Sequence, residues 1–206
     1  LLNHQDSPYY EETKRQALAA LAAYPGGMQI GGGITAQNAC AYLDAGASHV
    51  IVTSYVFRDG VFHRENLEAL VNAAGKERVV LDLSCRRRED GYYIVTDRWQ
   101  KFTDVRLTAE VLDSLADYCD EFLVHGVDVE GKSSGMEREL VRMLSDWNGI
   151  PITYAGGIGS CEDLEEFQRE SRGRLDFTIG SALDLFGGKI AYETVRKYGE
   201  RKPFSA

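Results

Sequence analysis

Short apolar segments rich in β-branched residues recur along the chain, and each is bounded by glycine or polar residues. Segments of this length that are apolar on both faces predict buried strands. Helical spacing separates them, as in residues 140–144, and Thr108 and Ser160 are suited to begin helices as N-caps. We therefore predict that strands and helices alternate strictly. The six predicted strands are residues 28–30, 49–53, 78–83, 121–127, 151–155 and 175–179.

Strict alternation predicts parallel strands joined by right-handed crossovers, which leaves two main architectures. One is an open, doubly wound sheet, and the other is a closed eight-stranded β/α barrel. A doubly wound sheet usually carries one glycine-rich turn, on its first strand. Here such turns follow the first and the fifth visible strands. The pattern favours a β/α barrel that forms a single domain over residues 1–206.

The two glycine turns are near copies of each other. Gly32-Gly33-Ile34 and Gly156-Gly157-Ile158 each follow a strand, and each precedes a helix and a strand that ends in a small residue and serine. Glycine N–H groups, a hydroxyl and a helix N-terminus together bind phosphate, although glycines also simply permit tight turns. We predict two phosphate sites that hold a long ligand by both ends. Their residues are Gly32, Gly33, Thr53, Ser54, Gly156, Gly157, Gly180 and Ser181.

One interval between a strand and its helix is longer than the others, from Arg86 to Phe102. Asp90-Gly91 followed by four strand-forming residues indicates a hairpin. In a barrel this hairpin stands over the carboxyl ends of the strands, where active sites of the fold lie. We expect Trp99 either to cover the site as a flat lid or to pack the hairpin onto the barrel rim.

Candidate catalytic groups lie at the ends of two predicted strands. Asp82 and Ser84 are two residues apart and therefore share a strand face. An idle carboxylate after Val and Leu is costly, so Asp82 is expected to touch substrate. The segment HGVDVEG adds three candidates, with a core, capping or solvated role as the alternative for each. They are His125, Asp128 and Glu130. Arg86 either neutralises an anion or forms a salt bridge at the rim.

Composition narrows the function further. The 206 residues are 44% hydrophobic and 27% charged with a net charge of −9, which disfavours nucleic acid as a partner. No apolar run of 18 residues and no secretory signal is seen, so we expect an intracellular protein away from membranes. The four cysteines lack ligand spacing and are expected to be free thiols. No metal site or nucleophile motif is found, which leaves acid–base chemistry by carboxylates.

Several separated motifs carry a resemblance that spans about residues 25–188: QIGGGI, IVTSYVF, DLSCR, VTDRWQKF, DEFLVHGVDVEG, TYAGGI and TIGSALDLFGG. Together they resemble the phosphoribosylformimino-aminoimidazole-carboxamide ribotide isomerases of histidine biosynthesis, and most closely the plant and fungal branch. The resemblance implies a β/α barrel with an internal half-barrel duplication and a substrate with a phosphoribosyl group at each end. It also implies an Amadori rearrangement of an aminoaldose to an aminoketose, with no metal or organic cofactor.

The resemblance also implies roles for particular residues. The usual acid of the family is an aspartate on the strand that DLSCR occupies, although alignment without a gap places it on Ser84. We hypothesise that Asp82, one pleat repeat deeper, is the acid and that Asp128 is the second candidate. Trp99 matches a loop tryptophan that stacks on the substrate. Ser84, Arg86, His125 and Glu130 are kept as substrate-binding candidates.

The family places its general base on the first barrel strand, and we expect this chain to lack the first βα unit and most of the second strand. A missing N-terminal piece of about 50 residues is then expected, and the 206 residues alone are expected to be inactive. We expect a monomer in the cytoplasm, or in the plastid stroma if the source is a plant. The alternatives are the cyclase barrel of imidazole glycerol phosphate synthase and a phosphate-metabolite binding barrel without turnover.

Overall fold

The computed structural model describes residues 2, 6–129 and 135–199. Within them the strands are β1 Gln29–Gly31, β2 His49–Val52, β3 Phe57–Arg58, β4 Val61–Phe62, β5 Val79–Asp82, β6 Cys85–Arg88, β7 Gly91–Thr96, β8 Lys101–Arg106, β9 Glu121–His125, β10 Ile152–Ala155 and β11 Asp176–Thr178. The α-helices are α1 Tyr10–Ala23, α2 Ala39–Asp44, α3 Arg64–Ala74, α4 Ala109–Ala116, α5 Arg138–Asp146, α6 Cys161–Ser171 and α7 Tyr192–Gly199.

One parallel sheet contains all six strands that the sequence predicts. Its order is β1-β2-β5-β9-β10-β11, and every neighbouring pair is parallel. These strands therefore lie side by side in the order in which they follow along the chain. A doubly wound sheet reverses direction at a switch point, whereas this sheet is wound in one direction, as in β/α barrels. The expected α/β class with parallel strands is confirmed.

The hydrophobic core lies between this sheet and the helices that pack against it. Leu81, Phe122 and Tyr154 are fully buried on β5, β9 and β10. The ring of Tyr154 stacks on that of Phe167 in α6, with centroids 5.6 Å apart. Its hydroxyl accepts a hydrogen bond of 2.9 Å from the backbone N–H of Glu137, next to α5. These contacts hold α6 and the start of α5 against β10.

Both predicted N-caps are confirmed. The Thr108 hydroxyl accepts a hydrogen bond of 3.3 Å from the Val111 N–H at the start of α4. The Ser160 hydroxyl accepts one of 3.0 Å from the Asp163 N–H at the start of α6. These contacts satisfy backbone donors that have no partner within the helix. Because such caps depend on residues three apart, the sequence suffices to locate them.

The predicted hairpin at Asp90-Gly91 is also confirmed, as part of a larger element. β6 and β7 pair antiparallel, with Arg88 opposite Gly91, and β8 extends the sheet to three strands. This antiparallel sheet begins directly after β5. It therefore stands at the carboxyl ends of the parallel strands, where the sequence places it.

The prediction of strict alternation was wrong in one place, because a second hairpin interrupts it. β3 and β4 pair antiparallel after β2, through a turn at Asp59-Gly60. An Asp-Gly pair is a common hairpin signal, so the sequence carried this information. Helices α1 and α7 were not predicted either. No helix among the residues described has the length and apolar character that crossing a membrane requires.

Candidate active site

The larger cavity at the carboxyl edge of the sheet joins the first glycine loop to the antiparallel sheet. Its volume is about 810 Å³. The ends of β1, β2 and β5 form one side, and the β7–β8 turn forms another. The structure thereby brings together six residues that the sequence analysis selects. They are Gly33, Thr53, Ser54, Asp82, Ser84 and Trp99.

A smaller cavity of about 190 Å³ lies at the second glycine loop. It is lined by the last residues of β9, β10 and β11 and by the loops that follow β10 and β11. The four predicted residues of the second phosphate site therefore meet in one place, with a histidine beside them. The five residues are His125, Gly156, Gly157, Gly180 and Ser181.

The two glycine loops share a backbone conformation as well as a sequence pattern. Gly32 and Gly33 have φ of 104° and 67°, and Gly156 and Gly157 have φ of 118° and 77°. Left-handed φ values suit glycine, which lacks a Cβ. The repeat seen in the sequence therefore extends to the backbone.

The first loop presents one glycine to the larger cavity rather than two. A Cβ on Gly32 would lie 2.7 Å from the carbonyl oxygen of Leu2, so Gly32 packs against the chain. Gly33 lines the cavity, and no atom lies within 4 Å of its Cβ position. Gly33 is thus the glycine of this loop that lines the cavity, and a ligand contact through the backbone N–H of Gly32 stays a prediction.

Asp82 is the centre of a hydrogen-bond network at the end of β5. Its Oδ2 accepts a bond of 3.0 Å from the Thr53 hydroxyl, and its Oδ1 accepts one of 2.8 Å from the Ser84 hydroxyl. The Nδ1 of His125 lies 3.3 Å from the same Oδ1. The Asp82 side chain lines the larger cavity, and His125 lines the smaller one. The pair thus lies between the two cavities.

Arg86 and Asp128 form an ion pair with each other. The Nε of Arg86 donates to Oδ1 of Asp128 at 2.9 Å, and the backbone N–H of Arg87 donates to Oδ2 at 3.0 Å. Neither Arg86 nor Asp128 is among the described residues that line the two cavities. The rim salt bridge, one of the two alternatives for Arg86, is what the structure shows. Glu130, the remaining candidate, lies outside the described residues.

Trp99 lies at the carboxyl edge, where the sequence predicts either a lid over the site or a ring that packs the hairpin onto the rim. Its side chain is 39% exposed and lines the larger cavity. Its ring centroid is 6.3 Å from that of His125. A partly exposed aromatic ring that lines a cavity is able to stack on a planar ligand.

Two buried residues of the antiparallel sheet, Cys85 and Tyr92, lie near Glu137, next to α5. The Tyr92 hydroxyl donates a bond of 3.0 Å to Glu137, and burial raises the pKa of Tyr92 to about 12. Burial also raises the pKa of the Cys85 thiol, and the nearby carboxylates of Glu137, Asp128 and Asp82 add to the effect. Burial thus favours the protonated forms of both side chains. No set of three potential metal ligands comes together among the described residues.

Sequence reasoning missed part of the cavity wall. Arg58, Thr96 and Asp97 line the larger cavity beside Trp99. Arg58 belongs to the β3–β4 hairpin, whose Asp59-Gly60 turn was visible in the sequence. The contact of that hairpin with the turn at Asp97 joins distant parts of the chain, so no local signal predicted it.

Comparison with known families agrees with this geometry. A family model described as histidine biosynthesis protein matches residues 10–191. The match covers both glycine loops, both cavities and the whole antiparallel sheet. The chain belongs to the histidine biosynthesis protein family.

Three similar members of the family are each called 1-(5-phosphoribosyl)-5-((5-phosphoribosylamino)methylideneamino) imidazole-4-carboxamide isomerase. The protein from Medicago truncatula, called HISN3, chloroplastic, is 56% identical over 183 residues, which make up 89% of this chain and 59% of that protein. The protein from Neurospora crassa is 48% identical over 179 residues, or 85% of this chain and 70% of that protein. The protein from Saccharomyces cerevisiae is 41% identical over 193 residues, or 90% and 74%. The chain thus spans 59% to 74% of the length of these relatives.

Proposed function

We propose that the protein is an isomerase of histidine biosynthesis, which converts the aminoaldose of a phosphoribosylformimino-aminoimidazole-carboxamide ribonucleotide into the corresponding aminoketose. One observation carries the proposal. Two glycine loops of the same conformation each open on a cavity at the carboxyl edge of the sheet, and the Asp82–His125 pair lies between the cavities. This arrangement suits a long ligand with a phosphate at each end. The names of the relatives favour the isomerase over the cyclase and over a non-catalytic binding barrel.

The proposal includes the architecture. We propose that the sheet is part of an eight-stranded β/α barrel with an internal half-barrel duplication. Residues 1–206 all belong to this single barrel domain. The one-directional strand order supports the barrel, and the matching φ values of the two loops support the duplication. In such barrels the catalytic groups lie at the carboxyl ends of the strands, which is where Asp82 lies.

In the proposed site, each loop binds one phosphate through backbone N–H groups and a serine hydroxyl. Gly33 and Ser54 serve the first phosphate, and Gly156, Gly157 and Ser181 serve the second, with Thr53 and Gly180 completing the two walls. Backbone N–H groups and a helix N-terminus attract phosphate without a cation. No metal or organic cofactor is part of the proposal.

Asp82 is the proposed acid. The ring oxygen of the ribose takes a proton from Asp82 as the bond between this oxygen and the anomeric carbon breaks. The ionised Asp82 is then an acceptor only, and the hydroxyls of Thr53 and Ser84 and the Nδ1 of His125 surround its oxygens. As the bond to the ring oxygen breaks, the lone pair of the nitrogen on the anomeric carbon forms a C=N bond, which leaves a protonated imine. A base then removes the proton from the neighbouring carbon, and the C–H electrons pass to the imine to give an enaminol. The enaminol becomes the aminoketone when its hydroxyl loses a proton and the former anomeric carbon gains one.

The remaining candidates take supporting roles. Trp99 stacks on the imidazole-carboxamide part of the substrate, and His125 contacts a substrate hydroxyl between the cavities. Asp128 remains the second candidate for the acid, although its ion pair with Arg86 supports a structural role. We propose a monomer that acts on a small bisphosphorylated molecule. The chloroplast, named for the Medicago relative, and the cytoplasm are the proposed locations.

The test compares Asp82→Asn with Asp128→Asn in the protein that carries this sequence. Both substitutions remove a carboxylate and keep the side-chain size. We expect Asp82→Asn to lower kcat by about 100-fold to 10,000-fold, the usual contribution of a general acid, and Asp128→Asn to lower it less than tenfold. The ketose product is measured by chromatography, and urea unfolding confirms that both variants fold. Nearly unchanged turnover in Asp82→Asn would refute the assignment.

A further inference from the structure

The turn that carries Trp99 has an unusual backbone. Asp97, Arg98 and Trp99 have φ of 54°, 56° and 68°, so three successive residues other than glycine are left-handed. Each such residue is disfavoured by contact between its Cβ and the backbone. A conformation of this kind persists only where the surrounding structure holds it. The contacts around the turn therefore decide where the Trp99 ring lies.

The hydroxyl of Thr96 makes the most buried of these contacts. It donates a hydrogen bond of 2.9 Å to Oδ2 of Asp97, and it accepts one of 3.0 Å from the backbone N–H of Gly60. Thr96 is only 3% exposed. The Nζ of Lys101 adds an exposed link, 3.3 Å from Asp59 and 3.4 Å from Asp97. Exposed ion pairs contribute little, so the Thr96 hydroxyl is the stronger connection between the turn and the β3–β4 hairpin.

The other end of that hairpin is joined to the first proposed phosphate site. The backbone N–H groups of Val56 and Phe57 both donate to the carbonyl oxygen of Thr53, at 3.0 and 2.8 Å. Phe57 is 1% exposed, and its ring stacks on that of Phe62 with centroids 5.2 Å apart. The hairpin is therefore anchored firmly next to Ser54. Its tip packs closely as well, because a Cβ on Gly60 would lie 3.1 Å from the carbonyl oxygen of Phe102.

We propose that Thr96 is a positioning residue, which holds the Trp99 ring over the larger cavity by fastening its turn to the β3–β4 hairpin. The hairpin thereby couples the loop at Thr53 and Ser54 to the aromatic ring on the opposite wall. The consequence for turnover rests on the proposed function, whereas the placement of the ring does not.

The placement is tested by the fluorescence of Trp99. The chain has two tryptophans, so Trp147→Phe leaves Trp99 as the only one. In that background, Thr96→Val keeps the shape of the side chain and removes the hydroxyl, and Thr96→Ser keeps the hydroxyl. We expect Thr96→Val to raise the acrylamide quenching constant of Trp99 about twofold, because the released turn opens to solvent, and Thr96→Ser to leave it unchanged.

A matched control separates positioning from general loss of stability. Thr103 is also buried, and it lies in the same antiparallel sheet. Its hydroxyl donates to the carbonyl oxygen of Ile94 at 2.9 Å and accepts from the N–H of Val105 at 3.0 Å. Thr103→Val therefore loses the same two kinds of hydrogen bond without touching the turn. We expect it to lower the urea midpoint as Thr96→Val does, and to leave the quenching constant unchanged.

The proposal is overturned if Thr96→Val leaves the quenching constant of Trp99 at the value of the Trp147→Phe parent. It is also overturned if Thr103→Val raises this constant as much as Thr96→Val does. If Thr96→Val does not fold, Asp97→Ala decides, because it removes the carboxylate that accepts from the Thr96 hydroxyl and changes only an exposed residue. A rise in the quenching constant of Trp99 in this variant supports the proposal, and no rise overturns it.

Turnover is measured separately with the proposed substrate. If the protein is the proposed isomerase, Thr96→Val raises KM several-fold, because the displaced Trp99 ring no longer stacks on the bound substrate. Thr96→Ser keeps the hydroxyl, so its KM stays at the value of the parent protein. If no isomerase activity is found but the quenching follows the expected order, the positioning of Trp99 stands and the proposed function fails. If activity is present and quenching does not change, the positioning proposal fails alone.

Discussion

Three glycines around the two cavities form a graded series for substitution by alanine. Gly180 has no left-handed φ, and its Cβ position is open to 4 Å. Gly33 has a φ of 67° and an open Cβ position. Gly157 has a φ of 77°, and its Cβ position lies 2.1 Å from the carbonyl oxygen of Gly135 and 3.0 Å from a methyl carbon of Val129. The series therefore adds first a backbone cost and then a steric cost.

The expected free-energy changes follow from these two costs. A left-handed alanine is disfavoured by about 1–2 kcal/mol, so Gly33→Ala is expected to lower the free energy of unfolding by that amount. Gly157→Ala carries the same cost and also forces the backbone near Gly135 to move, which adds about 1–3 kcal/mol. Gly180→Ala carries neither cost and should stay within about 0.5 kcal/mol of the parent protein.

Urea unfolding followed by circular dichroism measures the series. With a denaturant dependence of about 2 kcal/mol per molar urea, we expect a midpoint decrease of about 0.5–1 M for Gly33→Ala and a clearly larger one for Gly157→Ala. Equal decreases for these two variants would show that the segment at Gly135 does not pack on the second glycine loop. A decrease for Gly180→Ala as large as that for Gly33→Ala would refute the reasoning from φ.

Two further predictions concern ionisable groups. In native protein at pH 8, a thiol reagent should label the exposed Cys40 and leave Cys85 and Cys119 unlabelled until the protein unfolds. Burial raises the pKa of both buried thiols, that of Cys119 to about 12. Mass spectrometry identifies the labelled sites, and prompt labelling of Cys119 would contradict its burial. Burial and the charge of Glu121 raise the pKa of Asp176 in the folded protein above its usual value in the unfolded chain. The folded protein therefore favours the protonated side chain, and the free energy of unfolding falls as the pH rises from the usual pKa through the raised one. Asp176→Asn should therefore stabilise the protein at pH 7 and not near pH 3. The gain at pH 7 is only about 0.3 kcal/mol, because solvent screens the partly exposed side chain. Urea midpoints at both pH values measure the gain, and a larger gain at pH 3 would contradict this reasoning.

Local features of the fold were predictable from the sequence. The six strands of the parallel sheet, the two N-caps and the Asp90-Gly91 hairpin all depend on residues close together in the chain. Periodicity and capping are local signals. The glycine repeat is local too, and the matching φ values of its two copies follow from the same short sequence pattern.

The candidate site was predictable only in part. Asp82 ends β5 and Ser84 lies just beyond that strand, and their side chains do meet, as the spacing of two residues predicts. For Arg86 the sequence left open an anion contact or a rim salt bridge, and for Asp128 a substrate or a capping role; in the structure the two residues pair with each other across 42 positions of the chain. The sequence shows that a charge is present near a strand end, and it does not show which opposite charge the fold brings within reach.

The sequence by itself determined the α/β class, the repeated glycine loops and the family, because these follow from local periodicity and from motifs read in order. The tertiary structure alone decided which side chains face the cavities, and it alone fastened the Trp99 turn to a hairpin through Gly60 and Thr96, 36 positions apart. The physical reason is that hydrogen bonds and ion pairs require atoms within about 3 Å of each other. Only the packing of the whole sheet with its helices brings distant residues to that distance.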